Sequence, residues 1–307
     1  MKLLYLACMH NPEDFEPWLI PHLKKHCEVY PINYRTFRGD INESLPALVK
    51  MLGVDYVLVM KGEIIRAETI KHLVDMGVPS ACWTIDDHAH PEFYEKPYRT
   101  IFTPSPALIP SYHDKGFVNV HELAFYVEPT VFLPPSGDSS DSSVENDNYR
   151  AEVSFLGTEY PGRIELLTLL EHSGFSVDIY GDQWTIPNKG RLQAYTDCLR
   201  LWRNSKINLN IHQPTMRELG ALNTKMYEIP AAGGFMLSDY FPEMLDKFHS
   251  DELAFYDPDE PNSLVKAVEY FMADKSLRLE VMCRARERIF KEHTAEKRAE
   301  QIIRCLS

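Results

Sequence analysis

The chain has no C-x-x-C pair, no G-x-G-x-x-G segment, no internal repeat and no apolar run of bilayer-spanning length. Each absence excludes something. The six cysteines (Cys8, Cys27, Cys82, Cys198, Cys283 and Cys305) are scattered, which suits reduced, mostly buried thiols of a cytoplasmic protein rather than a disulfide framework. Without the glycine fingerprint, no dinucleotide is implied. The opening apolar stretch, residues 1–8, is too short for a signal sequence or a membrane span, and Glu13, Asp14 and Glu16 follow at once. A basic surplus is also missing. The 32 Lys and Arg face 45 Asp and Glu, a formal net charge of −13. That balance disfavours a non-specific nucleic-acid or anionic-membrane binder. An anionic ligand must therefore be held by local charge and backbone amides.

What the 307 residues do contain is a repeated strand–helix alternation, with 44% hydrophobic residues to build cores. Apolar runs at 3–7, 55–60, 79–84, 100–103 and 118–122 read as strands. Segments 12–25, 41–51, 64–76 and 108–115 carry helical spacing. The run Tyr56-Val57-Leu58-Val59-Met60 is apolar throughout, as parallel strands covered on both faces are. The pattern predicts an α/β domain over residues 1–133. Residues 134–150 are polar and acidic without apolar periodicity, a linker or surface excursion. The alternation resumes over 151–293, and 294–307 reads as a last helix.

The densest information lies in residues 206–239. An apolar strand opens it, a helix over 224–232 follows, capped by Asn223 or Thr224 and stopped by Gly233-Gly234, and a second strand closes it. Such a βαβ unit builds a parallel sheet, whose ligands sit outside the carboxyl ends of the strands. On that argument His212, Asn223, Lys225 and the Gly233-Gly234 pair are expected near one rim, with Glu228 one turn into the helix. A helix N-terminus with a lysine in its first turn suits phosphate, and a carboxylate three residues on can accept bonds from vicinal hydroxyls. A capped core helix with a Lys–Glu surface pair is the plainer alternative.

The order Asn223-x-Lys225-x-Tyr227-Glu228-x-x-Ala231-x-Gly233-Gly234 resembles the N-x-R-x-F-E-x-x-A-x-G-G segment of the CgeB-like glycosyltransferases, GT-B enzymes named for a spore maturation protein. Lysine stands here where arginine is usual, keeping the charge without the bidentate fork. The resemblance implies a GT-B fold, two Rossmann-like parallel-sheet α/β domains facing across a cleft, with the acceptor on the N-terminal side and the last helix crossing back to the first domain. It implies a metal-independent glycosyltransferase with no tightly bound cofactor, using a nucleoside-diphosphate sugar as donor. Lys225 and Arg163 would offset the diphosphate charge, Glu228 would hold the ribose, and Gly233-Gly234 would let the backbone come close. Gly157 to Arg163 is similar to the family's Gly-to-Arg turn, and Tyr180-Gly181-x-x-Trp184 to its Y-G-x-x-W, although a tight turn with a core tryptophan is the favoured reading of the latter over direct ligand contact. Glu128-Pro129-Thr130-Val131-Phe132-Leu133-Pro134 resembles the exit from the first GT-B domain.

In the first domain, Asp86-Asp87-His88-Ala89-His90 ends a strand, and Trp83 with Asp86 matches a W-x-x-D of the family. Asp86, then His88, is the candidate general base for an acceptor hydroxyl; a capping aspartate for the next turn, or a metal ligand, is the alternative. His10 and Lys61 end neighbouring strands. Glu218 precedes Glu228 by ten residues, so the E-x7-E signature of many retaining GT-B enzymes is absent. The expected partners are a nucleotide sugar and a saccharide, protein or small-molecule acceptor. An epimerase or hydrolase of the same architecture, or a non-catalytic nucleotide-sugar binder, are the competing readings.

Overall fold

The computed structural model describes residues 1–9, 15–85, 95–133 and 149–306. They form two compact units, each built on one parallel sheet.

The first unit comprises residues 1–128, 218–222 and 293–307. Its elements run Lys2–Ala7 (β1), Phe15–Leu23 (α1), Glu28–Asn33 (β2), Ile41–Leu52 (α2), Tyr56–Met60 (β3), Ala67–Asp75 (α3), Ser80–Trp83 (β4), Thr100–Thr103 (β5), Ile109–Asp114 (α4) and Asn119–Glu122 (β6). The six strands lie in the order β2-β1-β3-β4-β5-β6. Central β1, β3 and β4 are buried almost throughout, which is why they read as unbroken apolar runs. β2 was not expected from the alternation, because Pro31 interrupts it. It is tolerated because β2 is an edge strand that pairs with β1 alone. One face is closed by Leu45, Val49, Ile70 and Leu73 from α2 and α3. On the other, Trp83 stacks on Tyr126 with ring centroids 5.7 Å apart and meets Phe15 edge-on at 6.0 Å.

The second unit comprises residues 129–217 and 223–292. Its elements are Val153–Leu156 (β7), Arg163–His172 (α5), Val177–Tyr180 (β8), Tyr195–Asn204 (α6), Ile207–Asn210 (β9), Pro214–Glu218 (α7), Lys225–Ala231 (α8), Met236–Asp239 (β10), Ala254–Tyr256 (β11), Pro261–Ala273 (α9) and Lys275–Glu292 (α10). The sheet order is β11-β10-β9-β7-β8, again parallel. Asn208 sits mid-sheet in β9 without penalty because every amide group is used: it donates to the Trp202 and Phe235 carbonyls and accepts from Ser154.

Ala295–Leu306 (α11) returns to the first unit. Val127 and Thr294 form a parallel bridge, and Arg298 donates to the Ala124 and Phe125 carbonyls at 2.7 and 3.2 Å. No described helix is long and apolar enough to cross a membrane.

Candidate functional site

In the second sheet the chain leaves β7 through α5 towards β8 on one side, and leaves β9 through α8 towards β10 on the other. β7 and β9 are neighbours. Their carboxyl ends therefore flank the point where strand order reverses, the usual crevice for a ligand in an open α/β sheet.

On the β7 side, residues 157–163 are knitted to the turn after β8. A Cβ on Gly181 would lie 2.0 Å from the Gly157 carbonyl oxygen, so only glycine fits there. Trp184 donates from Nε1 to that same oxygen at 2.9 Å and packs edge-on against Phe155. The Tyr180 to Trp184 segment thus works as a tight turn with a packed tryptophan. Glu159 accepts from the Thr185 N–H and hydroxyl at 2.6 and 2.7 Å. Arg163 is buried, 9% exposed. It donates from Nε to the Ile211 carbonyl at 3.1 Å, from Nη2 to the same oxygen, and from Nη1 to Thr158 at 2.7 Å. Its guanidinium lies over the rings of Tyr160 and Phe155. Burial pulls its pKa down to about 10, which leaves it a cation at neutral pH. Arg163 clamps the β7 turn onto the end of β9 while keeping a positive charge at the crevice.

On the β9 side, the buried Asp239 at the end of β10 organises the rim. Its carboxylate accepts from the His212 backbone N–H at 3.0 Å and the Ser238 hydroxyl at 3.2 Å, and stands 2.7 Å from His212 Nδ1. The Asn223 N–H donates to His212 Nε2 at 3.3 Å, which assigns the ring proton to Nδ1. Both imidazole nitrogens are thereby used inside the protein, and His212 reaches the crevice only through Asn223. The Asn223 side chain donates to Asn210 at 2.8 Å and accepts from the Met226 N–H, capping α8.

The chemistry concentrates at Lys225 and Glu228. Tyr195 donates to Glu228 Oε1 at 3.0 Å. Burial pushes the Glu228 carboxyl up, opposed by the charge of Lys225 and by bonds from Tyr195 and Thr224. Burial pushes the Lys225 ammonium down, opposed by Glu228 and reinforced by the nearby charge of Arg163. Among the described residues the Lys225 ammonium has no hydrogen-bond or ion-pair partner. Two like charges thus approach one another in a partly desolvated place, with one of them unpaired.

The glycine pair is elsewhere. Gly233 and Gly234 precede β10 at its amino end, because α8 must carry the chain back across the sheet before the next parallel strand begins. A Cβ on Gly234 would lie 2.5 Å from the Trp202 carbonyl oxygen, and Gly233 has φ of 89°. Their glycines serve packing and a left-handed helix stop on the opposite edge, not an approach to the crevice. Asp86, His88 and His10 lie outside the described residues. Lys61 ends β3 with φ of 65°, in the first unit. Tyr195 and Asp239 escaped the sequence reading. An aspartate closing an otherwise apolar strand was the available signal for Asp239; nothing in the sequence singles out Tyr195.

Residues 163–304 match the glycosyl transferase-like family. The spore protein CgeB of Bacillus subtilis strain 168 is 22% identical, over 60% of this chain and 63% of that protein, so less than two thirds of its length is matched. Among solved structures, Anabaena Alr3699/HepE in complex with UDP and glucose aligns with a TM-score of 0.66 at 12% identity, over 100% of this chain and 99% of that one. An E. coli structure described as trehalose-6-phosphate bound with UDP-2-fluoro glucose gives 0.69 at 11% identity, over 100% and 99%. Sucrose-phosphate synthase from Thermosynechococcus elongatus gives 0.64 at 10% identity, over 100% and 98%. At these identities the structures speak for the fold, which is GT-B.

Proposed function

We propose that this chain, a CgeB-like protein whose residues 163–304 form a glycosyl transferase-like domain on a GT-B fold, transfers a sugar from a nucleoside-diphosphate-sugar donor to an acceptor hydroxyl. The observation that carries the reading is Lys225, a partly buried cation without a partner among the described residues, beside a second cation and a carboxylate. An unpaired buried charge costs stability unless a counter-charge arrives. A diphosphate supplies that counter-charge. Glu228, three residues along the same helix, then accepts from the ribose hydroxyls, and Tyr195 holds its carboxylate in place. Arg163 contributes its charge from behind, through the β7 turn that it clamps.

In this reading the protein's own cations stabilise the leaving diphosphate, so bond cleavage relies on fixed positive charge and calls for no metal ion. His212 and Asn223 hold the start of α8 in register with the crevice. Asp86, with His88 second, is assigned from sequence as the base that takes the acceptor proton.

A thermal-shift titration with nucleoside diphosphates and their sugars, with and without magnesium, tests the donor site. One nucleoside diphosphate and its sugars raise the melting temperature, independently of the metal. Glu228→Ala remains folded and loses affinity by about 10- to 100-fold, the worth of one or two hydrogen bonds to a charged acceptor. Undiminished donor affinity in folded Glu228→Ala overturns the assignment. Turnover of that donor without any acceptor would replace transfer by hydrolysis or epimerisation.

A further inference from the structure

Beside the crevice, the second unit holds a cavity of about 390 Å³ between α5, the ends of β9 to β11 and the start of α9. Neither Lys225, Glu228, Asn223 nor Tyr195 lines it. Its walls include Pro161, Leu166, Leu169, Pro214, Pro258 and Pro261. Four prolines and two leucines offer apolar surface, and proline has no N–H to donate.

Tyr160, Arg163, Glu165, His212, Arg217 and Asp239 also line the cavity, although most of its exposed wall is apolar. Tyr256 also lines the cavity; it is 2% exposed, and its hydroxyl has no hydrogen-bond partner among the described residues. Arg217 Nε is likewise buried without a hydrogen bond, 3.8 Å from Asp239 Oδ2. A buried donor left unmade is costly, and native structures seldom keep one without a use. Apolar walls with a small number of convergent polar groups are the ordinary composition of a small-molecule site.

We infer that this cavity binds a small molecule with an apolar ring or short aliphatic body and one oxygen acceptor, which the Tyr256 hydroxyl and Arg217 Nε meet. Burial and the neighbouring Asp239 charge keep the Tyr256 phenol protonated far above neutral pH, so it remains a donor. The inference does not depend on the donor site: occupancy stands or falls on this cavity alone. The two places share walls, however. Arg163 and His212 line the cavity, and these residues hold the β7 turn and Asn223 in position. A ligand here therefore touches the supports of the Lys225 crevice directly.

The test is calorimetric titration of the full chain with 2-naphthol and with 2-naphthoate, which differ in whether the oxygen head is neutral or anionic. One of them binds saturably with one-to-one stoichiometry. Leu166→Trp, at a half-buried wall position, abolishes that binding with the melting temperature preserved. Leu169→Trp does the same from the neighbouring turn of α5 should the first variant fold poorly. Tyr256→Phe keeps the walls and lowers affinity about tenfold, the worth of one hydrogen bond. The absence of saturable binding by either probe, or unchanged binding to a folded tryptophan variant, overturns the inference.

Discussion

Glu228 carries a conflict between stability and use. Burial holds its proton to a higher pH in the folded chain than in the unfolded one. As pH rises through the ordinary carboxylate range, the unfolded state releases its proton first, so folding stability falls. Stability from this group is thus present below the usual pKa of about 4.3 and is lost above it. Glu228→Gln removes the titration while retaining an acceptor for Tyr195. Its melting temperature without ligand is expected to match the wild type near pH 4 and to exceed it at about pH 7, by scanning calorimetry. Nucleotide affinity moves the other way, since the neutral amide accepts hydroxyl bonds more weakly. An unchanged difference between the two pH values would remove burial of Glu228 as the cause. The pair Lys225 and Glu228 was legible in the sequence because helical spacing alone puts them on one face. What Tyr195 does was not, because its bond to Glu228 joins residues 33 apart in the chain. His212 was legible as a strand-end residue, whereas the burial of both its ring nitrogens depends on Asp239 and Asn223 arriving from two other segments.

At the level of elements, the unit β9–α8–β10 was readable because its two periods and its glycine stop are written without interruption. The expectation that Gly233-Gly234 share the rim of Lys225 does not hold. A helix that starts at the carboxyl rim must end at the amino rim, and Gly233-Gly234 belong to the second place. β2 escaped for a different reason: an edge strand needs only one ladder, so it tolerates Pro31 and lacks the apolar run by which central strands are recognised. Gly234→Ala separates packing from chemistry. The added Cβ meets the Trp202 carbonyl oxygen and the Asn208 amide, a strain expected to cost about 2 kcal/mol or more. Thermal unfolding should show that loss, with nucleotide affinity of the folded fraction retained because the contact lies on the opposite edge. A selective loss of nucleotide affinity with stability intact would return the glycine pair to the binding site.

Across the whole molecule, the first unit is assembled from both ends of the chain. α11 packs against α1, and Arg298 holds the carbonyls of Ala124 and Phe125. Its inward residues Ala295, Ala299 and Ile302 are fully buried. Removing residues 293–307 is therefore expected to loosen the N-terminal sheet rather than the second unit. Hydrogen exchange should show protection lost over 15–23 and 119–128 and kept over 153–156 and 207–239. Equal loss in both would mean that the units do not unfold separately. The sequence predicted a terminal helix here, yet its partners lie some 270 residues away, as Lys25 with Glu296 illustrates. The same arrangement bears on how the protein is made. Translation delivers β1 before α11, so the earlier sheet waits for the later helix. The second unit, whose residues all lie between 129 and 292, has its full complement earlier. The unit whose strands leave the ribosome earlier is the one that receives its last helix later.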